Sequence, residues 1–242
     1  MNMEEVPAEE ALKRRCIADT SLLNNFVHSG SSHLLNQLLE GPVLLSPAVM
    51  DPQEIILPGF PREPPSSELL KTLHLASVYG QERYRKIAPF VQSFALDSGE
   101  LWEPVEPTEE ELILANHFRS KEIKEEVRER CPEIRRSRIR LGTGEAETAA
   151  IAVTRELTFL TDDQGSVDLI GCLFPHVPVL RTCLLLKYAV EQRYTLCKDA
   201  AELVNYRIVD NLGFRARRKS RSGHERLYLR CEPPRCSWEE AT

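Results

Sequence analysis

Short apolar, β-prone runs alternate along this chain with stretches patterned like helices, and that alternation constrains the fold more than any other feature. Cys16-Ile17-Ala18, Val43-Leu44-Leu45-Ser46, Leu157-Thr158-Phe159-Leu160-Thr161 and Val177-Pro178-Val179-Leu180 read as strands. Leu101 to Val105 reads as a strand or an extended segment. Between the first two runs, Leu22, Leu23, Phe26 and Val27 recur at helical spacing, and Leu34, Leu35, Leu38 and Leu39 do so again. The Ser29-Gly30-Ser31-Ser32 break makes two helices of that stretch, with Ser31 or Ser32 as the cap of the second. Strand–helix alternation of this kind predicts a three-layer α/β fold, a mainly parallel sheet with helices on both faces. Pro178 places the last strand at an edge or marks its start.

The middle of the chain departs from that rhythm. Leu57 to Pro65 holds four prolines and one glycine and reads as a connector. Ser67 to Phe94 carries apolar residues at helical spacing. Thr108 with Glu111 forms a capping box, and Lys121 to Arg140 is a densely charged amphipathic helix, most simply a solvated one. Further helices are expected from Gly144, over Asp168 to Leu173, over Thr182 to Glu191 and over Lys198 to Asn211, with Gly213 as a stop. The reading is one domain over 13–214, a mostly helical insertion over 57–140, and a basic tail over 215–242.

The 242 residues, 42% of them hydrophobic, suffice for a large α/β core. The net charge of -6 gives no global attraction to nucleic acid. Met1 to Glu10 is acidic and lacks an apolar core, so no secretory signal is expected. Arg181 and Lys187 interrupt the most apolar runs, which fall well short of the roughly 20 residues of a membrane span. A soluble cytoplasmic protein is expected. Seven scattered cysteines suggest reduced, mostly buried thiols rather than a disulfide framework. Cys231 and Cys236 with His224 upstream make an incomplete zinc pattern, and free thiols on a tail are the simpler reading.

The residues that carry chemistry are acidic. Asp19 follows the first strand, Asp162 and Asp163 follow Leu157–Thr161, and Glu145 and Glu147 open an alanine-rich helix. In open parallel sheets the cleft lies at the carboxyl ends of the strands, where the three aspartates fall. Carboxylates grouped there repel unless a positive charge lies between them, and a hard cation such as Mg²⁺ or Mn²⁺ takes such oxygens. Taken singly, each of these residues is better explained by helix capping, and only their conjunction favours a metal site. Glu145 and Glu147 are about 200° apart around a regular helix, so one of them reaches a shared site and the other does not.

Three stretches resemble the PIN domain family, the nuclease fold of many toxin components of bacterial and archaeal toxin–antitoxin pairs. Ile17-Ala18-Asp19-Thr20-Ser21-Leu22-Leu23 resembles its opening motif. Leu141-Gly142-Thr143-Gly144-Glu145-Ala146-Glu147 resembles its second motif. Phe159-Leu160-Thr161-Asp162-Asp163 resembles its T-x-D motif. The closing helices and Leu212-Gly213-Phe214-Arg215 match more softly, and 57–140 does not match in detail. The resemblance implies a metal-dependent endoribonuclease with Asp19, Glu145 and Asp163 as catalytic and metal-binding acids. Asp162 and Glu147 are then neighbours that could also bind metal. Asp51 or Glu54 is left as the fourth acid, Asp51 slightly favoured. Thr20 or Ser21 would hydrogen-bond a ligand or its water. It also implies Mg²⁺ or Mn²⁺, RNA as substrate, and an antitoxin, another protein or a second copy as partner.

Other chemistries find less support. Ser21 stands where a haloacid-dehalogenase-type phosphatase needs a second aspartate, and no glycine-rich phosphate loop or G-x-S-x-G elbow is present. Arg215, Arg217, Arg218, Lys219 and Arg221 open a basic run that reaches Arg230, with Tyr228 as a possible stacking partner for a base. That run reads equally as an RNA-binding strip or a solvated tail. A PIN-like scaffold that binds RNA or protein without cutting is the alternative to the enzyme.

Overall fold

Three strands bury every residue they contain: β1 (Cys16–Ala18), β2 (Val43–Leu45) and β4 (Thr158–Leu160). A strand covered on both faces needs an unbroken apolar run rather than alternation, and these segments approach it. β3 (Trp102–Pro104) and β5 (Val179–Leu180) are only partly buried. They form the edges of a five-stranded sheet in the order β3-β2-β1-β4-β5, and every pairing is parallel. Pro104 lies in one edge strand and Pro178 just before the other, where a missing N–H costs least. The computed structural model describes residues 6–29, 31–51, 54, 66–71, 102–134, 139–195, 231–232 and 235–236.

Alternate residues of the strands feed two cores. Cys16, Ala18, Val43, Leu45 and Leu160 pack with α1 (Ala8–Leu12), α2 (Thr20–Ser29), α3 (Ser32–Leu38) and α8 (Thr182–Glu191). Ile17, Leu44 and Phe159 pack with α4 (Glu109–Phe118), α5 (Glu122–Arg130), α6 (Thr143–Thr154) and α7 (Gln164–Leu173). The result is the expected three-layer α/β arrangement. The stretch 57–140 supplies β3 to the sheet and α4 and α5 to one layer. A short hairpin, β6 (Cys231–Glu232) with β7 (Arg235–Cys236), lies in the tail. No helix among the described residues is long and apolar enough to cross a membrane.

Several element boundaries differ from the sequence reading for identifiable reasons. The charged helix stops at Arg130, because Cys131 leaves the helical region and Pro132 follows. α7 starts at Gln164 rather than Asp168, because the Asp163 side chain accepts from the Ser166 N–H and caps the helix. Ser31 does precede α3, but its hydroxyl donates to the Phe26 carbonyl at 3.5 Å instead of capping. The buried side of α6 is wider than a stripe: Ala146, Glu147 and every residue from Thr148 to Ala152 are buried, since α4 covers its outer side. Residues 68–71 are helical. The rest of the 67–94 helix, the 198–211 helix and the basic run over 215–230 lie outside the described residues.

The expectation of free thiols fails for one pair. Cys131 and Cys172 are joined by a disulfide with a Cα–Cα distance of 6.1 Å. They are 41 residues apart, on elements that only the packing of α5 against α7 brings together, so counting and spacing could not pair them. Cys16 and Cys183 are free, as expected.

One carboxylate ties the outer helix to the inner one. Thr108 and Glu111 form the predicted capping box, with the Glu111 carboxylate accepting from the Thr108 N–H at 2.7 Å. The same carboxylate accepts from Arg155 Nε at 2.7 Å and Nη2 at 2.8 Å, just beyond the end of α6. Arg155 holds the Glu111 carboxyl below the usual carboxylate range, against the cost of burial. The Glu111 side chain is 1% exposed, so an unpaired charge there is costly. Arg155→Ala is expected to destabilise the fold by about 2–3 kcal/mol in denaturant titration, somewhat below the roughly 3–5 kcal/mol of a broken, fully buried pair because Arg155 is partly solvated. The double change Glu111→Gln, Arg155→Met is expected to recover part of that loss.

Candidate active site

The strand order reverses direction between β1 and β4, and a crevice opens at the carboxyl ends of the strands at such a point. Ala18 is paired with Leu160, and the Asp19 N–H continues the ladder to the Leu160 carbonyl at 3.1 Å. Asp19 and the Asp162-Asp163 pair therefore lie side by side at one edge of the sheet.

Asp19 is fully buried. Its Oδ1 accepts from the Ser21 hydroxyl at 2.8 Å and the Leu22 N–H at 3.1 Å, and its Oδ2 accepts from the Thr161 hydroxyl. Burial pushes the Asp19 carboxyl up to about 7; those hydrogen bonds oppose the shift and the Asp162 charge adds to it. Thr161 explains the spacing of the T-x-D motif. Its hydroxyl donates to Asp19 while accepting from the Asp163 N–H at 3.0 Å, so one side chain fixes two acids.

A carboxylate absent from the sequence reading completes the group. Glu68 accepts from the Thr20 hydroxyl at 2.7 Å and from the Gly144 N–H at 3.0 Å. A Cβ on Gly144 would lie 2.6 Å from the Glu68 Cδ, so any larger residue there would displace the Glu68 carboxylate from the start of α6. The only local signal for Glu68 was the Ser66-Ser67 pair ahead of an apolar run, an ordinary helix start that marks no chemistry.

Glu145 lies in the first turn of α6 and turns back to accept from the Gly142 N–H. Its carboxyl is pushed up to about 7, first by burial and then by the charges of Asp163 and Glu68, against the Gly142 hydrogen bond. Asp163 caps α7, its Oδ1 accepting from the Ser166 N–H at 2.7 Å. Asp19, Glu68, Glu145 and Asp163 are thus linked by Thr161, by Thr20 and by mutual repulsion.

The remaining sequence candidates are placed differently. Asp162 faces inward, accepting from Asn25 Nδ2 at 2.5 Å, the Thr182 N–H at 3.1 Å and the Thr182 hydroxyl. Arg181 donates to the Asp162 carbonyl at 3.2 Å and to Gln164 Oε1 at 2.9 Å, holding the residues on either side of Asp163. Glu147 is 9% exposed and accepts from the Ala48 N–H at 3.0 Å, which ties α6 to the turn after β2. Glu54 accepts from the N–H and hydroxyl groups of Ser66 and Ser67; burial opposes them, yet these bonds hold its carboxyl below the usual range. Asp51 is half-buried in the loop after β2, and its carbonyl accepts from the Glu54 N–H at 3.1 Å. Thr20 bonds Glu68, while Ser21 bonds Asp19 and accepts from the Asp162 N–H at 3.0 Å. Arg215, Arg217, Arg218, Lys219 and Arg221 lie outside the described residues.

Among the described residues, no three His, Cys, Asp or Glu side chains converge closely enough to hold a metal ion. The donor chemistry nonetheless suits a hard cation: all four acids offer oxygen, and the repulsion that raises Glu145 is what a cation relieves. Asp19 has used three of its roughly four acceptor positions, leaving one on Oδ2. No family model, curated protein or solved structure matches the chain.

The raised Glu145 carboxyl sets a pH dependence. Its proton is held more tightly in the folded state, so ionisation costs stability as pH rises from the ordinary glutamate value through about 7. Glu145→Gln keeps an acceptor for the Gly142 N–H and removes the charge. Thermal melts are expected to coincide near pH 4.5 and to separate above neutrality. The variant is then favoured by about 1–2 kcal/mol, after allowance for partial exposure. A gap that fails to widen with pH contradicts the assignment.

Proposed function

We propose that this chain is a metal-dependent endoribonuclease of PIN type. The observation that supports it best is the grouping of Asp19, Glu68, Glu145 and Asp163 at the carboxyl edge of the sheet, where the charges of Asp163 and Glu68 oppose ionisation of Glu145. With Glu68 as the fourth acid, the role first left to Asp51 or Glu54 is filled from another segment. The resemblance of the Asp19, Glu145 and Asp163 motifs to the PIN family points the same way.

Mg²⁺ or Mn²⁺ held by these four carboxylates would activate water and screen the phosphate of an RNA strand as charge develops. The residues around them do the positioning. Thr161 and Ser21 hold Asp19, with Thr161 also fixing the backbone at Asp163. Arg181 steadies the turn through Asp162 and Gln164. To serve as a ligand, Glu145 would have to leave the Gly142 N–H and give up its proton, which its carboxyl holds up to about neutrality. Under this reading the substrate is single-stranded RNA and the location cytoplasmic. One form of it makes the chain the toxin of a toxin–antitoxin pair, with an antitoxin as partner; a homodimer is another assembly it accommodates.

A second reading, a PIN-like scaffold that binds RNA or protein without cutting, draws on the side-chain positions themselves. Glu145 is turned onto Gly142, and no three ligating side chains among the described residues converge. The two readings part in a cleavage assay with single-stranded RNA and Mg²⁺ or Mn²⁺. The enzyme reading expects activity in the wild type and a loss of about 100-fold or more in Asp19→Asn, Asp163→Asn and Glu68→Gln, the order expected when a metal's charge stabilisation is removed. Equal activity in all of them, or none in the wild type, removes it. Mn²⁺ is also expected to raise the wild-type melting temperature and to raise that of Asp163→Asn less.

A further inference from the structure

One covalent link in the molecule plays no part in the carboxylate group, namely the bond between Cys131 and Cys172. Cys131 is the C-cap of α5, and Cys172 lies in the last turn of α7. Both are partly buried, at the margin of the core that holds Ile123, Val127, Leu169 and Ile170. They are therefore close to solvent, unlike Cys16, whose thiol burial pushes up to about 12. Cys183 is likewise pushed up, to about 11, first by burial and then by the Asp162 charge.

The pair is also accommodated without the bond. Cys172 Sγ lies 3.9 Å from the Val127 carbonyl oxygen, so a thiol there has an acceptor within reach. Without the bond, apolar packing alone would hold α5 against α7. Both sulfurs lie at the carboxyl ends of helices, where the backbone dipole disfavours thiolate. That setting suits a slow structural couple and argues against a catalytic dithiol, which needs a depressed thiol pKa.

We propose that Cys131 and Cys172 form a reversible thiol–disulfide couple that fastens α5 to α7 when oxidised and leaves them held by packing alone when reduced. The oxidant is a small disulfide of the glutathione class. The thiolate of one cysteine attacks it, forming a mixed disulfide and expelling one small thiolate. The second cysteine then attacks the mixed disulfide, closing the Cys131–Cys172 bond and expelling the second. Two electrons pass to the small disulfide, and the two protein-thiol protons end on the two small thiols. Excess small thiol runs both steps backwards. The other end of α7 is capped by Asp163, so the couple governs how firmly the helix next to one of the site acids is held. The inference does not rest on the nuclease reading.

The test uses the full chain equilibrated in buffers of varied reduced-to-oxidised glutathione ratio. Thiols are quenched by alkylation, and the peptides carrying Cys131 and Cys172 are read by mass spectrometry. The disulfide fraction is expected to follow the ratio and to return when the ratio is reversed. The oxidised form is expected to melt about 5–15 °C above the reduced form, as chain-entropy stabilisation of a loop this size gives for a domain this large. Cys131→Ser and Cys172→Ser are each expected to melt with the reduced wild type and to ignore the ratio. A pair that stays wholly oxidised or wholly thiol across the range, or redox states that melt together, overturns the proposal. Should a serine variant fail to fold, the two redox states of the wild type still decide.

Discussion

The parallel pairing of β1 with β4 is the contact on which the site depends. It sets Ala18 beside Leu160 and carries the ladder one residue further, to the Asp19 N–H. From there the Thr161 hydroxyl spans the gap between the segments that follow the two strands, donating to Asp19 and accepting from the backbone of Asp163. A slip of one residue would send Asp19 to the opposite face, because side chains alternate along a strand. The register is secured by burial on both faces, with Ile17 and Phe159 in one core and Ala18 and Leu160 in the other.

The acids at this edge divide by what surrounds them. Asp162 is enclosed by Asn25, Thr182 and Arg181, so it works as a structural anchor between β4 and α8. Glu145 has one backbone donor and two repelling neighbours, and burial makes its charge dearer still. Glu147, two residues further along α6, accepts instead from the Ala48 N–H. Two adjacent aspartates and two nearly adjacent glutamates thus serve different ends, and only their partners tell them apart.

The architecture was legible because the sheet is buried. Continuous apolar runs at Cys16, Val43 and Leu157, alternating with helical patterns, are what parallel strands between helix layers require. Asp19, Glu145 and Asp163 could be found as well, since each directly follows a strand or opens a helix. Glu68 could not, because its place beside Gly144 comes from long-range folding, and its own surroundings in sequence are those of any helix start. The Cys131–Cys172 bond was hidden for the same reason. The start of α7 was read too late because Gln164-Gly165-Ser166 shows no apolar spacing, whereas the Asp163 cap begins the helix at Gln164.

Glu111 has a consequence for how the molecule comes apart. Its carboxylate completes the first turn of α4 and also receives the Arg155 guanidinium from the end of α6. Nucleating the outer helix and docking it on the inner one therefore draw on the same two oxygens. Neither can be lost without weakening the other, which makes α4 and α6 a single unit of opening rather than a core helix with a fraying cover. Amide exchange along the two helices should accordingly share one opening free energy, even though α4 is the more exposed of the pair.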